Sequence, residues 1–297
     1  MSVDTLDAQE LEIEEGAVAA APPRDRAVSV VTRTWGGLWP KLLAVGTVLA
    51  VWQSLYSFHW RPEFLFASPS QTFGFLGDEA TGHSQFGQNT FWQACATTLQ
   101  RGVVGFAFAL AVGSVVGIAV SQWRVLRSAV GSMITGLQTM PSIAWFPFAM
   151  LVFGLDESAI MFVIILGAAP SIANGIISGI DDIQPNLLRA GHMLGARGLD
   201  RYRYVVLPAA LPSYVAGLKQ GWAFAWRSLL AGELLVTIPG HPSLGATLDN
   251  ARNSGNSAQL MGIMIVVLVI GMVIDLFFTK ATATIHSRRG LTGMSTG

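Results

Sequence analysis

Six long apolar stretches limit what this chain can fold into. Each has about 20 or more mostly apolar residues, the length that an α-helix needs to cross the hydrocarbon core of a bilayer. Backbone polar groups in lipid can be satisfied only within helices or closed barrels. We therefore predict an all-α, polytopic transmembrane helical bundle with about six spans, at Trp39–Phe58, Leu99–Ser121, Val130–Phe153, Ser158–Ser178, Pro208–Ile238 and Ala258–Thr279.

The overall composition agrees with a membrane protein and narrows the chemistry. Only 12% of the 297 residues are charged, whereas about a quarter are charged in an ordinary soluble domain. The net charge is zero, which gives no reason to expect a nucleic-acid partner. The single cysteine, Cys95, excludes an intrachain disulfide and a cysteine-based zinc site. The five histidines have no ligand-like spacing, so we expect neither a metal site nor a catalytic residue.

Two of the six stretches depart from a simple straight span. The third contains Pro141 and Pro147, and we predict a kinked or broken helix there because proline removes a backbone donor. The fifth, 208–238, is too long for one perpendicular crossing. We expect it to begin in the cytoplasm or to tilt strongly.

The distribution of arginine and lysine sets the orientation. With the N-terminus in the cytoplasm, the outer segments are 59–98, 154–157 and 239–257, and they contain only Arg61 and Arg252. Thirteen lysines and arginines then fall in or next to the inner segments. Because positive loops stay on the cytoplasmic side, we predict that both termini are cytoplasmic.

This topology divides the chain into four parts. Residues 1–35 form an acidic, Ala-Pro-rich tail that we predict to be disordered. Residues 36–98 hold the first span and an outer segment, of which 85–97 is predicted to lie along the membrane as an interfacial helix. Residues 99–280 form the core, with a cytoplasmic loop at 181–208, and residues 281–297 form a cytoplasmic tail.

The core is interrupted by a polar segment, Arg189–Pro208, which contains four arginines. Residues 186–194 have helical spacing, and Gly195 suits a helix C-terminus. Asp200 is predicted to cap a second short helix, and Pro208 fits a first helical turn. The segment therefore predicts two short helices joined by a turn on the cytoplasmic side, with Leu199, Tyr202 and Val205 offering an apolar knob to a partner.

The spacing of this segment resembles the cytoplasmic loop of ABC importer permeases, E-A-A, three residues, G, nine residues, I, one residue, L-P. Here Arg189-Ala190-Gly191 is followed after three residues by Gly195, and nine more residues lead to Val205 and then Leu207-Pro208. Arginine replaces the acid at the first position, glycine the second alanine, and valine the isoleucine. The stretches Met140–Gly154 and Leu207–Leu235 are similar to the nitrate, sulphonate and taurine branch, and the resemblance covers Leu99–Phe278.

The resemblance implies a type I ABC importer permease in a bacterial cytoplasmic membrane. Its partners would be a second permease copy, two cytoplasmic ABC ATPase subunits and an extracytoplasmic solute-binding protein. ATP and magnesium would bind to the ATPase, and no cofactor to this chain, whose sequence lacks a G-x-x-x-x-G-K-[ST] phosphate loop. The ATPase-coupling residues would be Arg189, Ala190, Gly191, Gly195, Leu199, Tyr202, Val205, Leu207 and Pro208.

Three charged side chains, Lys219, Arg227 and Glu233, fall within the fifth stretch. Charges at membrane depth are costly and often functional. Arg227 lies nearest the midplane, where it either attracts an anion in transit or forms a structural ion pair or carbonyl contact; the structural role is slightly favoured. Lys219 is expected to extend its amine toward the cytoplasmic interface. Glu233 could pair with the second copy or gate the outer mouth.

The candidate translocation path consists of Ser142, Trp145, Gln220, Arg227 and Glu233. Ser142 and Trp145 follow Pro141, where a broken helix would expose backbone to a cavity. The function favoured is import of a small anion, with an aliphatic sulphonate or taurine ahead of nitrate or other small solutes. An ion-gradient-driven secondary transporter is the alternative from another class, although its usual midplane carboxylate is missing. A membrane enzyme is a third, without a catalytic cluster to support it.

Overall fold

The computed structural model describes residues 23–58, 62, 65–82 and 90–288, and all regular structure within these ranges is helical. The prediction of an all-α protein is therefore confirmed. The acidic residues at the start of the chain, Arg61, and residues 83–89 and 289–297 lie outside the described ranges. The helices are α1 (Pro23–Ser57), α2 (Pro69–Ala80), α3 (Thr90–Gln122), α4 (Arg124–Thr139), α5 (Phe146–Phe153), α6 (Glu157–Asp181), α7 (Pro185–Met193), α8 (Leu199–Arg201), α9 (Leu207–Leu235), α10 (Leu244–Asn253) and α11 (Ser257–Arg288).

The chain forms two compact units that divide after Trp60. The described part of the first unit is mainly α1, which begins at Pro23, within the segment predicted as a disordered tail. The second unit contains all the other helices. Residues 90–97 are not a separate interfacial helix, because they form the first two turns of α3. The predicted boundary between residues 98 and 99 thus falls inside a continuous helix.

Within the described ranges, three helices are each long and apolar enough to cross a membrane, namely α3, α6 and α11. Helix α4 and the helical turns that follow it meet the same criterion only as a pair, across a bend of 104°. Length and apolarity therefore support four of the six predicted spans. The predicted first and fifth spans, on α1 and α9, are not among those four, and α9 carries three charged side chains that lower its hydropathy.

The bend in the third span follows directly from its prolines. Met140 has extended backbone (φ −76°, ψ 129°), the conformation imposed on a residue that precedes proline. A 3₁₀ turn over Ser142–Trp145 then leads into α5. Pro147 lies in the first turn of α5, where its missing N–H costs no hydrogen bond. The predicted broken helix is confirmed, and Pro141 is the residue at the break.

Helix α6 lies at the centre of the second unit and packs against α3 and α9 through small residues. A Cβ atom at Gly113 of α3 would lie 2.6 Å from the Ala169 carbonyl oxygen of α6. On the other side of α6, a Cβ at Gly175 would lie 2.8 Å from the Cα of Gly217 on α9. Glycine at these positions lets the backbones approach closely, as is typical of membrane helices. The core around this helix includes fully buried Phe146, Ile160, Ile164, Ile172 and Leu229.

Candidate functional site

The first half of the polar segment is a short helix that ends in a Schellman motif. Helix α7 stops at Met193, and Gly195 follows with a left-handed φ of +87°. The Gly195 N–H donates to the His192 carbonyl (3.1 Å), and the Ala196 N–H donates to the Gly191 carbonyl (3.0 Å). These are the two hydrogen bonds that define the motif. The predicted helix and its glycine terminus are confirmed.

The second half begins at Gly198 and runs without interruption into α9. Helix α8 covers only three residues, and a π-helical turn over Tyr202–Val206 connects it to Leu207. The prediction that Asp200 caps this helix is wrong. Gly198 occupies the N-cap position, its φ is +52°, and no side chain caps the helix. Pro208 lies in the first turn of α9, as expected.

The two halves pack on each other through Gly191 and Val205. A Cβ at Gly191 would lie 2.7 Å from Val205 Cγ2, so the glycine that departs from the family pattern is the residue that permits this contact. Val205 is consequently half-buried and is not part of an exposed knob, contrary to the prediction. Leu199 is 82% exposed and Tyr204 is 66% exposed. The most exposed large apolar side chains of the segment are Met193, Leu194, Leu199, Tyr204 and Leu207, and Tyr202 is exposed to a lesser degree.

Tyr202 connects the polar segment to the end of α3. Its hydroxyl donates a hydrogen bond of 2.9 Å to Oε1 of Gln122, the last residue of that helix. Ala190 and Pro208 are half-buried, whereas Arg189 and Leu207 are exposed. The four arginines of the segment are exposed and form no ion pair with any residue in the described part of the chain. The segment thus exposes both large apolar and positively charged side chains.

A second feature is a cavity of about 340 Å³ beside the break in the third span, which we call the broken-helix cavity. It brings together three of the five residues predicted for the translocation path, Ser142, Trp145 and Arg227. The rest of its lining is largely apolar, with Gln138 as a further polar residue. The complete lining is Leu137, Gln138, Thr139, Met140, Pro141, Ser142, Ile143, Trp145, Leu166, Gly167, Phe224, Arg227 and Ala231.

Arg227 is an exposed cation in the middle of α9. Its guanidinium lies 5.3 Å from the centre of the Phe224 ring, an arrangement that stabilises a cation weakly. Within the ranges that the structure describes, it forms no ion pair and no hydrogen bond. Among these residues it thus lacks the structural ion pair or carbonyl contact that was slightly favoured from the sequence.

The wall of the broken-helix cavity is fixed by a pair of serines. The Ser228 hydroxyl lies 2.7 Å from the Ser142 hydroxyl and 2.8 Å from the Phe224 carbonyl oxygen. Gly167 of α6 lies against this pair, and a Cβ there would overlap Ser228 Oγ. The 3₁₀ turn is therefore held onto α6 and α9 by a contact that needs glycine.

Gln220 and Glu233 do not line the broken-helix cavity. Gln220 is seven residues before Arg227, so the two lie within about 20° of each other around the helix axis, and both are exposed. Glu233 is six residues after Arg227 and points to another side of α9. It is fully buried. The structure thus extends the Arg227 face of the helix to Gln220 and separates Glu233 from it.

Glu233 belongs to a buried polar cluster whose central residue, Arg101, the sequence analysis missed. Arg101 of α3 is 3% exposed. Its Nη1 donates to Glu233 Oε1 (3.2 Å) and its Nε to Glu157 Oε1 (3.0 Å). Thr98 also donates to Glu233, at 2.9 Å from Oε2. Two features of the sequence could have predicted this pair. Arg101 is the sole charged residue of the second apolar stretch, and an acid, Glu233, lies near the predicted outer end of the fifth.

The loop before α6 contains a second carboxylate with different surroundings. Asp156 accepts a hydrogen bond from the Ser158 hydroxyl at 3.2 Å. The backbone N–H of Glu157, and secondarily that hydroxyl, hold the pKa of Asp156 below its ordinary value because they favour the ionised form. Asp156, Glu157 and Arg101 line one cavity of about 830 Å³ together with His241, on the side predicted to be extracytoplasmic. The two neighbouring carboxylates therefore differ in their side-chain partners, which are Arg101 for Glu157 and Ser158 for Asp156.

Lys219 was expected to extend toward the interface, but the structure pairs it with another helix. Its amine lies 3.1 Å from Asp275 Oδ1 of α11 and donates to Thr279 Oγ1 at 2.8 Å. Asp275 is the acidic partner in this ion pair. Lys219 and Arg227 are thus two cations of one helix with different environments.

Comparison with known proteins places these features in a family. Residues 109–289 match the family described as binding-protein-dependent transport system inner membrane component. A putative ABC transporter permease protein of Methanocaldococcus jannaschii is 33% identical over 178 residues, 60% of this chain and 66% of that protein. The nitrate import permease protein of Leptolyngbya laminosa is 27% identical and covers 80% of this chain and 83% of its own length. The taurine transport system permease protein of Escherichia coli is 27% identical, and the match covers 79% of this chain and 85% of that protein.

A solved structure shares the fold. The chain superimposes with a TM-score of 0.55 on a chain of the MetNI methionine ABC transporter in an inward-facing conformation, with 19% identity, 66% of this chain covered and 96% of that one. The family match includes the polar segment, the broken-helix cavity and all of α9. The chain therefore belongs to the family of binding-protein-dependent transport system inner membrane components, the permease subunits of ABC importers.

Proposed function

We propose that this permease imports a small organic anion, a sulphonate such as taurine, through the broken-helix cavity. The observation that carries the proposal is Arg227, an exposed cation at the wall of that cavity with no ion pair or hydrogen bond among the described residues. A cation at membrane depth costs about 3 kcal/mol. A passing anion would offset that cost, and it would do so only while it is bound.

The other residues of the cavity suit the same solute. The Ser142 hydroxyl and the Gln138 amide can donate hydrogen bonds to the oxygens of an anion. Ile143, Leu166 and Phe224 provide an apolar surface against which carbon atoms can pack. This surface favours an anion with a carbon chain over nitrate. Nitrate remains the second candidate, because a nitrate and a taurine permease match the chain at equal identity.

Transport would be driven by a separate cytoplasmic ATPase that holds the polar segment. The exposed apolar patch of Met193, Leu194, Leu199 and Tyr204, with exposed arginines in the same segment, supports a groove-shaped protein partner. Such a patch on a soluble surface marks an interaction site. Two permease copies, two ATPase subunits and an extracytoplasmic binding protein would form the complete importer. Solute and ATP would each favour one of two conformations, which is the condition for coupling. Family membership argues against an ion-gradient-driven carrier or a membrane enzyme.

The test is uptake by the assembled transporter with Arg227→Gln. We expect uptake of labelled taurine to fall at least about tenfold, the effect of losing one hydrogen bond to a charged group. Arg227→Lys should restore part of it because the charge is kept. The matched control is Lys219→Gln, which removes a cation eight residues away that already has Asp275 as partner. Uptake that survives Arg227→Gln would contradict the proposed role.

Competition between solutes tests the substrate class separately. Unlabelled alkanesulphonates and nitrate are added in excess during taurine uptake, and cells that lack the gene are grown on each as the sole sulphur or nitrogen source. We expect alkanesulphonates to compete and nitrate to have little effect. Competition by nitrate alone, or undiminished growth on sulphonates without the gene, would favour the second candidate.

A further inference from the structure

The cluster around Arg101 fastens α10 to two spans through buried hydrogen bonds. The Leu244 N–H donates to Thr98 Oγ1 of α3 at 2.9 Å, and the Gly245 N–H donates to Glu233 Oε2 of α9 at 3.2 Å. These two N–H groups belong to the first turn of α10, where backbone N–H groups have no acceptor within the helix. A Cβ at Gly245 would overlap the Glu233 side chain. The helix therefore cannot shift at this end without moving α3 and α9.

Arg101 extends this connection to a further span, α6. It contacts Glu233 on one side and Glu157, the first residue of α6, on the other. Without Arg101, α6 would have no polar connection to the cluster through these groups. Among the described residues, the guanidinium is the polar group that joins α6 to the hydrogen bonds of this cluster, beside the direct packing of α6 on α3 and α9.

The two carboxylates hold Arg101 unequally. Glu233 is fully buried and has three donors, Thr98, Arg101 and Gly245. The Glu157 side chain is 47% exposed and accepts one hydrogen bond from Arg101, donated by Nε. Arg101 Nη2 is buried and has no hydrogen-bond partner among the described residues. Nη2 shares an edge of the guanidinium with Nε, and a carboxylate can accept from both. A small rotation of Glu157 would therefore change one bond into two.

The exposed side of α10 faces a recess of about 850 Å³ whose surface is mostly apolar. Thr247, Asn250 and Asn253 of this helix line it, together with Glu79 of α2 and Gln259 of α11. In the predicted orientation the recess is extracytoplasmic. The Thr247 hydroxyl and the Asn250 and Asn253 amides give a docked protein hydrogen-bond partners beside this apolar surface, the combination typical of a protein interface.

From these contacts we propose that Arg101 is a positioning residue that transmits the docking of an extracytoplasmic protein at α10 to the spans. A push on α10 moves Glu233 and Thr98. Arg101 passes this movement to Glu157 and so to α6, on which the broken-helix cavity is built. The inference rests on the proposed function, since it needs a transporter whose ATPase responds to a solute-binding protein.

The experiment uses the complete transporter in proteoliposomes with Glu157→Gln. ATP hydrolysis is measured without and with the solute-loaded binding protein. We expect basal hydrolysis to stay within about twofold of wild type and stimulation by the binding protein to fall at least about tenfold, because Arg101 loses its charged link to α6. Arg101→Lys, which keeps the charge but cannot contact both carboxylates, should give the same loss.

Asp156→Asn is the matched control. It removes the neighbouring carboxylate of the same loop, which has Ser158 rather than Arg101 as its side-chain partner, and it should keep full stimulation. Full stimulation of Glu157→Gln would overturn the proposal, and so would loss of basal hydrolysis and assembly together, which would show a structural role only. A wild-type complex without stimulated hydrolysis would instead count against the proposed function itself.

Discussion

At the scale of single residues, the serine pair beside the broken-helix cavity depends on the absence of one Cβ atom. Gly167 lies where a methyl group would overlap Ser228 Oγ and would come within 3.3 Å of Ser142 Cβ. Overpacking of this kind costs about 1–3 kcal/mol. We expect Gly167→Ala to lower the thermal unfolding temperature of the detergent-purified permease and to reduce solute uptake, since the 3₁₀ turn is displaced.

Gly131 provides the control for that substitution. It lies inside helix α4, and a Cβ there would meet nothing within 4 Å. Alanine stabilises a helix interior relative to glycine by about 0.5–1 kcal/mol, so Gly131→Ala should leave the unfolding temperature unchanged or raise it. An equal drop in both variants would show that the contact with Ser228 does not limit stability.

The sequence predicted the residues of the broken-helix cavity better than those of the buried cluster, for a physical reason. Pro141 predicts a break in the helix, and polar residues beside a break can be identified from the sequence alone. Arg101 and Glu233 are 132 positions apart, and their pairing depends on the packing of α3 against α9. No local sequence pattern predicts a contact between residues so far apart. Glu233 was therefore assigned to the translocation path, although it lies on another side of its helix.

At the scale of secondary-structure elements, two Schellman motifs with the same hydrogen bonds occur in different parts of the fold. One ends α7 at Gly195, and the other ends α10, where the Gly255 N–H donates to Arg252 and Asn256 to Ala251. Both glycines have positive φ, +87° and +67°. Proline cannot adopt that conformation and has no N–H to donate. Either substitution must therefore open the end of its helix.

This pair of motifs gives a test of the polar segment. We expect Gly195→Pro to abolish co-purification of the ATPase, while the permease remains in the membrane fraction, because the exposed patch loses its shape. Gly255→Pro causes the same local damage on the predicted outer side, and it should keep the ATPase bound. Release of the ATPase by both variants would indicate general misfolding instead of loss of a docking element.

Helix α7 of the polar segment follows from local signals, which is why its prediction succeeded. Helix α7 is amphipathic, begins at Pro185 and ends at a glycine. The contact between Gly191 and Val205 was not predicted, because it joins residues 14 positions apart across a turn. That contact removed Val205 from the exposed surface and left Tyr204 there in its place.

At the scale of the whole molecule, the predicted orientation places the polar segment and α10 on opposite sides of the membrane. The single cysteine, Cys95, is buried, and Cys95→Ser provides a background free of thiols. In intact cells a membrane-impermeant maleimide should label Asn253→Cys, which is exposed on α10. It should label Arg197→Cys in the polar segment only after permeabilisation. The reverse pattern would invert the topology and exclude a cytoplasmic partner for the polar segment.

Helix α6 also constrains the order in which the protein can be assembled in the membrane. Half of the residues in the most apolar part of α6 are buried inside the protein, compared with 28% for α3 and 11% for α11. One side of α6 packs on α3, which is synthesised earlier, and the other on α9, which begins at Leu207, after α6 has ended at Asp181. During insertion, the side with Gly175 must first contact lipid. The α3–α6 contact can therefore form before α9 is made, and α9 completes the bundle by displacing lipid from a glycine surface that is already in place.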